Sequence, residues 1–349
     1  MIWNVPIESL EERYSKDWNV WFPSEFKRLK VPYQTIEGEA LTNKIEHGAF
    51  LDVVGTNYYK ASQLQKICKL IYEGKVQKGD IFFFHDLWFP GLEMLAYIRD
   101  GLGLQFKIAG MLHAGTWDKH DFLNKKGMYK WAEKLEESWF AFIDKIFVAT
   151  IFHENLILDL RCVLHNKIEV ISFPIYDTFA INTPKEKIIV FPHRLDKEKN
   201  PQMFEMLAAA CKKELPEWKF IKTKNVTKTK AEYYNLLDRA TFAISFAEQE
   251  TFGIAMQEAV LAGCIPIVPN RLSYSELYRK IFQYSWYDYV REDLACLNAT
   301  SAKLTLLDMI KQMQLLPFFK DSLQEQKQSF RTNGRTAIER MIKSLRNMK

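Results

Sequence analysis

The 349-residue sequence has no long apolar run, no patterned cysteines and no internal repeat, and each absence removes a class of protein. Its longest uninterrupted apolar stretches, such as Ile81-Phe82-Phe83-Phe84, fall far short of the ~20 residues a membrane-spanning helix needs. No transmembrane segment is expected. The opening stretch, Met1 to Glu8, lacks a basic segment followed by an apolar core and a small-residue cleavage site, so a cytoplasmic location is expected rather than secretion. The five cysteines, Cys68, Cys162, Cys211, Cys264 and Cys296, are odd in number and never spaced like a metal knuckle or a redox pair. They are expected to be reduced core residues.

Apolar residues at 48% and charged residues at 26% describe a globular chain. Its length is too great for one ordinary domain and about right for two, each with its own core. The net charge of +5, from 48 basic and 43 acidic side chains, suits an anionic ligand or partner without requiring one. Lysines gather at Lys125, Lys126, Lys130 and Lys134, and again at Lys222, Lys224, Lys228 and Lys230, a pattern that solvated helix and loop faces also produce.

Short β-branched and aromatic runs alternate with amphipathic stretches, which predicts parallel sheets covered by helices: an α/β fold. Strands are expected near Ile2 to Val5, Tyr33 to Glu37, Leu51 to Val54, Asp80 to His85, Phe106 to Leu112, Lys145 to Ala149 and Ile168 to Ser172. In the second half they are expected at Lys187 to Phe191, Trp218 to Lys222, Phe242 to Phe246 and Ile265 to Val268. The strongest helices are expected at Ser62 to Tyr72, Lys130 to Ala141, Pro201 to Lys213, Lys230 to Ala240, Ile254 to Ala262 and Ala302 to Leu315. Two prolines and a loss of periodicity between Phe173 and Lys187 predict a domain junction, placed at residue 178. The second domain is then 179–331, and a basic amphipathic helix over 332–349 is expected to return to the first.

Ligands of open α/β sheets sit outside the carboxyl ends of the strands, so residues just after strands carry the functional reading. Three places qualify: His85-Asp86, His113 to Thr116, and the run after Phe246. In that run Glu250 leaves a strand, Gly253 opens a helix and Glu258 falls in its first turns. Two carboxylates at this spacing can bracket one ligand. The amides of Phe252, Gly253 and Ile254 are expected to be unpaired helix N-terminal donors, suited to a phosphate or sugar oxygen.

This order of Glu250, Phe252-Gly253, Glu258-Ala259, then Gly263, Pro266 and Glu276, resembles the family-4 glycosyltransferases and their relatives with the GT-B fold. The resemblance implies two Rossmann-like domains facing across a cleft, with an acceptor domain first and a donor domain second. It implies that Glu258 holds the ribose of a nucleotide sugar and Glu250 the hydroxyls of the sugar, with Phe252, Gly253 and Ile254 completing the contacts. Upstream, Arg194 and Lys199 match an Arg and a Lys that the family directs at the donor diphosphate. Fixed cations there stabilise the charge gained as the glycosidic bond breaks. The chain has no Asp-any-Asp triplet, the usual metal site of the other main glycosyltransferase fold, so catalysis is expected without metal. No resident cofactor is implied; the donor is a co-substrate, a UDP-sugar. His113 corresponds to a histidine that lines the cleft in family members, and the motif goes with retention at the anomeric carbon.

The resemblance is close over Phe191 to Glu276 and architectural elsewhere. Where many relatives carry a glycine-rich loop after the first strand, this chain has Val5 to Tyr14 without a glycine. Its opening, IWNVPIESLEERYSKDWNVWFPSEF, looks like glycosyltransferases of bacteriophages, some of which modify hydroxymethylated pyrimidines in DNA. That resemblance implies DNA as acceptor, phosphates met by Lys125, Lys126 and Lys130, and work in the host cytoplasm. Seven of the nine tryptophans precede position 140, as core or as stacking platforms for a sugar or base. Two other readings stand beside it: transfer to a glycan or lipid-linked acceptor in surface polysaccharide synthesis, and a sugar-nucleotide-binding protein without catalysis. The oligomeric state is not legible.

Overall fold

The computed structural model describes residues 1–10, 14–41, 52–175, 183–287, 292–315 and 317–348. The chain divides into two units, Met1–Pro174 with Thr336–Lys349, and Ile175–Arg335. The junction expected at residue 178 lies outside the described residues.

In the first unit the elements run β1 (Ile2–Val5), α1 (Tyr14–Arg28), β2 (Tyr33–Thr35), α2 (Val53–Tyr72), β3 (Ile81–Phe84), α3 (Leu92–Gly101), β4 (Lys107–Met111), α4 (Phe122–Lys125), α5 (Tyr129–Phe142), β5 (Lys145–Val148), α6 (Ile151–Leu160) and β6 (Ile168–Val170). The strands form one parallel sheet in the order β2-β1-β3-β4-β5-β6. Parallel sheets are covered on both faces, so their strands read as continuous apolar runs. Phe82, Phe83 and Phe84 of β3 accordingly have no exposed surface.

The second unit holds β7 (Glu186–Phe191), α7 (Pro201–Cys211), β8 (Lys219–Lys222), α8 (Thr223–Val226), α9 (Lys230–Arg239), β9 (Ala240–Ile244), α10 (Ile254–Leu261), β10 (Ile265–Pro269), α11 (Tyr274–Leu277), β11 (Gln283–Tyr284), α12 (Glu292–Leu315) and most of α13 (Pro317–Arg346). Its sheet is again parallel, β11-β10-β9-β7-β8. The end of α13 belongs to the first unit, where Ser344 Oγ donates to Glu169 at 2.5 Å and Arg28 pairs with Glu339 at 2.6 Å. At Gly334 this helix runs close to the backbone; a Cβ there would sit 2.1 Å from the Ile175 carbonyl oxygen.

Both sheets reverse strand order once, between β1 and β3 and between β7 and β9. At such a switch point the loops leaving the two strands diverge to opposite faces and open a crevice at the carboxyl edge. Asn4 and His85 meet there in the first unit, His85 Nε2 lying 2.7 Å from Asn4 Oδ1. In the second, His193 Nε2 lies 2.8 Å from Ser245 Oγ.

Several expectations need correction. The strand expected over Leu51 to Val54 is absent where the chain is described: Val53 and Val54 begin α2, because the Asp52 carboxylate caps it by accepting from the Val54 and Gly55 amides at 3.1 and 2.9 Å. Helix α12 starts ten residues before Ala302 and α13 fifteen before Thr332. Only Cys211 and Cys264 are buried; Cys68 is half-buried, and Cys162 and Cys296 are exposed. Among the described residues no helix is long and apolar enough to cross a membrane.

Candidate functional site

Strand β7 ends at Phe191 and leads through Pro192 to His193, Arg194 and one tight turn, Lys197–Lys199. Asn200 then takes a left-handed conformation (φ 56°), and Pro201 opens α7 with its ring at a position that needs no amide donor. The turn aims Lys199 inward, leaving its side chain 8% exposed. Its Nζ donates to the Gln249 carbonyl and pairs with Glu250 Oε2 at 3.1 Å.

Glu250 is held from the other side by the start of α10. The Gly253 amide donates to Oε1 at 2.8 Å and the Phe252 amide at 3.4 Å. These two amides are therefore capped by Glu250, not unpaired as expected. Gly253 has φ 77°, a conformation that costs a residue with a Cβ about 1–2 kcal/mol, and a Cβ there would lie 3.5 Å from the Glu250 side chain. Burial would raise the Glu250 carboxyl. The Lys199 charge, the His193 ring and the hydrogen bonds from Lys199 and Gly253 outweigh that and hold it below the usual carboxylate range.

Behind this pair runs a buried polar chain. Ser245 Oγ lies 2.8 Å from both His193 Nε2 and Tyr274 OH, and Tyr284 OH donates to the Ser245 carbonyl at 3.0 Å. Burial, then the Lys199 charge, push His193 down to about 3, so it is a neutral ring throughout the physiological range. The structure thus brings Lys199, Glu250, Phe252 and Gly253 together. Arg194 is turned to its own turn, pairing with Asp196 at 2.6 Å and Glu198 at 3.6 Å with 37% of its side chain exposed. Glu258 is directed at α9, where it accepts from Tyr234 OH at 3.0 Å and Tyr233 OH at 3.3 Å. Ile254 begins α10 half-buried.

His193, Ser245, Tyr274, Tyr233 and Tyr234 were not singled out in the sequence. For His193 and Ser245 the signal was there, since both lie at the carboxyl ends of the switch-point strands. The tyrosines carry no such mark.

In the first unit His113 follows β4. Its Nε2 lies 2.7 Å from the His85 carbonyl oxygen, which can only accept, so Nε2 carries the proton. The ring packs on Trp18, Tyr14 and Phe173 at centroid distances of 5.5, 5.9 and 4.9 Å. Burial lowers its pKa against the opposing pull of Asp86, which favours the neutral form. Asp86 itself pairs with Lys60 at 3.0 Å.

The loop carrying His113 is clamped by Glu136, 1% exposed, which accepts from the Thr116 amide at 2.8 Å and pairs with Arg161 at 3.2 Å. Farther along it, burial, then the nearby Asp118 and Glu136 charges, push Asp121 up to about 7. The folded chain then holds a proton that the unfolded chain releases near pH 4, so stability falls as pH rises from about 4 to 7. Asp121→Asn, which keeps an acceptor for the Leu123 amide, is expected to flatten that slope. Melting temperatures at pH 4.5 and 7.5 measure it, at about 2–4 °C per kcal/mol for a unit of this size. Equal slopes in the two proteins would contradict the assignment.

No family model matches the sequence. A tRNA-queuosine alpha-mannosyltransferase of Drosophila melanogaster is 30% identical over 157 residues, covering 35% of this chain and 42% of that protein. The match thus spans less than half of that relative's length. Among solved structures, sucrose-phosphate synthase from Thermosynechococcus elongatus superposes with a TM-score of 0.64 at 12% identity, over 99% of this chain and 98% of that one. The pneumococcal O-GlcNAc transferase GtfA, solved with UDP and GlcNAc, gives 0.57 at 14% identity, over 83% of this chain and 60% of that one. The fold is that of the GT-B glycosyltransferases.

Proposed function

We propose that this chain is a retaining glycosyltransferase that moves a sugar from a UDP-sugar to a hydroxyl group, with a hydroxymethylated pyrimidine of bacteriophage DNA as the acceptor. One observation carries the donor half: a shielded ammonium, a carboxylate and a helix N-terminus converge at the switch point of the second unit, Lys199 to Glu250 at 3.1 Å and Gly253 N–H to Glu250 at 2.8 Å. A nucleoside diphosphate leaves as an anion, and a fixed cation beside it favours its departure. Lys199, with Arg194 swung from Asp196 and Glu198, takes the diphosphate. Glu250 takes sugar hydroxyls and Glu258 the ribose. Retention follows if the acceptor oxygen bonds the anomeric carbon on the face the diphosphate leaves. The pair of the broken C–O bond goes with the phosphate oxygen, which accepts the acceptor's proton. For His113 of the first unit we propose a role toward a hydroxyl group, Nδ1 being the acceptor nitrogen of its ring. The solved neighbour holding UDP supports the choice of nucleotide.

For the acceptor, the support is a surface of the first unit. Lys125, Lys126, Lys130 and Lys134 are exposed around Tyr129 and Trp131, whose side chains are 44% and 52% exposed. Cations for phosphates interleaved with open aromatic faces suit a nucleic acid with an unstacked base. The relative named for mannosyl transfer to queuosine in tRNA supports the same class of acceptor.

The test is transfer of radiolabel from UDP-glucose, UDP-GlcNAc and a UDP-pentose to hydroxymethylated duplex, unmodified duplex, tRNA and buffer alone, at low salt. Label is expected on the hydroxymethylated duplex. Absence of both binding and label there would end the DNA proposal, and label on tRNA alone would replace it.

A further inference from the structure

Glu258 sits in the second turn of α10, and the two phenols that reach it come from neighbouring positions of α9. Tyr234 OH lies 3.0 Å from Oε1 and Tyr233 OH 3.3 Å from Oε2. Successive residues of a helix point about 100° apart and seldom share a target. Here the rings lie 5.5 Å apart at 45°, and the carboxylate receives one phenol on each oxygen. The helix that presents them is pinned at its start by a reciprocal cap between Thr229 and Glu232, and Lys230 Nζ lies 5.5 Å from the centre of the Tyr234 ring.

We infer that Tyr233 and Tyr234 fix the plane of Glu258 so that it captures a vicinal diol, and thereby set a preference for ribonucleotide over deoxyribonucleotide donors. The inference rests on the donor reading above. An ionised carboxylate offers about four acceptor positions, so two phenols orient it without exhausting it. A ribose presents two adjacent hydroxyls to the two oxygens, whereas a 2′-deoxyribose presents one. A carboxylate free to rotate adapts to a single hydroxyl; a clamped one loses a hydrogen bond outright. Burial, followed by the Glu258 charge, raises the Tyr233 phenol well above its ordinary value, so it remains a donor at every working pH. Tyr233 and Tyr234 are positioning residues, acting through Glu258.

Calorimetric titration with UDP and with 2′-deoxy-UDP tests this on the wild-type chain, the double variant Tyr233→Phe/Tyr234→Phe, and Glu258→Gln. The wild type is expected to prefer UDP about tenfold, the worth of one well-made hydrogen bond to a charged group. In the double variant the preference is expected to fall below about threefold, with UDP weakened and 2′-deoxy-UDP changed less than about twofold. Glu258→Gln should behave alike. A purely structural role for the tyrosines would weaken both nucleotides in parallel, so an unchanged ratio overturns the inference. A wild type that binds both equally well also overturns it while leaving the donor reading intact. Binding of neither sinks the donor reading itself, and this inference with it. If circular dichroism shows the double variant unfolded, Tyr234→Phe alone decides, an unchanged ratio again being the contrary result.

Discussion

Glu250→Gln is expected to lower kcat by about 10²–10³-fold, the range typical of removing one preorganised electrostatic contact at a reacting centre. Glutamine keeps the shape and an acceptor for the Gly253 amide, which sits 2.8 Å from Oε1. It removes the charge that answers Lys199 and the strong acceptor that sugar hydroxyls need. The pair is shielded, 8% and 14% exposed, so the change also costs stability. Outright loss of a buried partner costs about 3–5 kcal/mol, and the retained amide oxygen reduces that to about 1–2 kcal/mol. The depressed pKa of Glu250 has a further consequence. Its contribution is complete above the unfolded carboxylate value and fades as pH falls through its own lower value, so the pair protects the fold at neutral pH and is lost in acid. An unchanged kcat in the glutamine variant would remove Glu250 from the reaction. Donor KM is expected to change little, since the diphosphate and ribose contacts remain.

Lys199→Met is expected to act on both folding and binding. Methionine fills the aliphatic space but leaves the Glu250 carboxylate beside Gly253 without its cation, at a cost of about 3–5 kcal/mol readable by urea unfolding. With the cation gone, burial is no longer outweighed and the Glu250 pKa rises. Affinity for UDP is expected to fall about 10–100-fold, the equivalent of one charge-assisted hydrogen bond to a phosphate. Arg194→Gln is expected to do less in unfolding, because the Arg194 side chain is 37% exposed against 8% for Lys199. Equal stability losses in the two variants would mean that Lys199 is no better shielded than Arg194.

What could be read from the residues alone follows from how strongly each constraint is local. The strands of both sheets show in sequence because two-sided burial demands continuous apolar runs such as Ile188-Ile189-Val190-Phe191. Helix α1 was hidden although Ser15, Trp18, Phe22 and Phe26 lie on one buried face, because Pro23 interrupts the pattern from within. At Leu51 to Val54 the β-branched pair argued for a strand while one aspartate, by capping, decided for a helix.

The site divides in the same way. The order of Glu250, Gly253 and Glu258 is a property of one loop and one helix, whereas the ion pair of Lys199 with Glu250 joins that loop to the turn after β7 and depends on the fold. The tyrosine clamp on Glu258 depends on how α9 packs beside α10, which no spacing encodes. The capping of the Phe252 and Gly253 amides by Glu250 was missed for a related reason: a carboxylate four residues before a helix can accept from the amides leading into it as readily as a ligand's oxygen.

The most direct test of the account is calorimetric titration of the purified chain with UDP at low salt, beside its Lys199→Met variant. Saturable binding that weakens about 10–100-fold in the variant is the predicted result. A chain that takes up no UDP, or a variant that binds it as well as the wild type, would contradict a donor site built on Lys199, Glu250 and the first turn of α10.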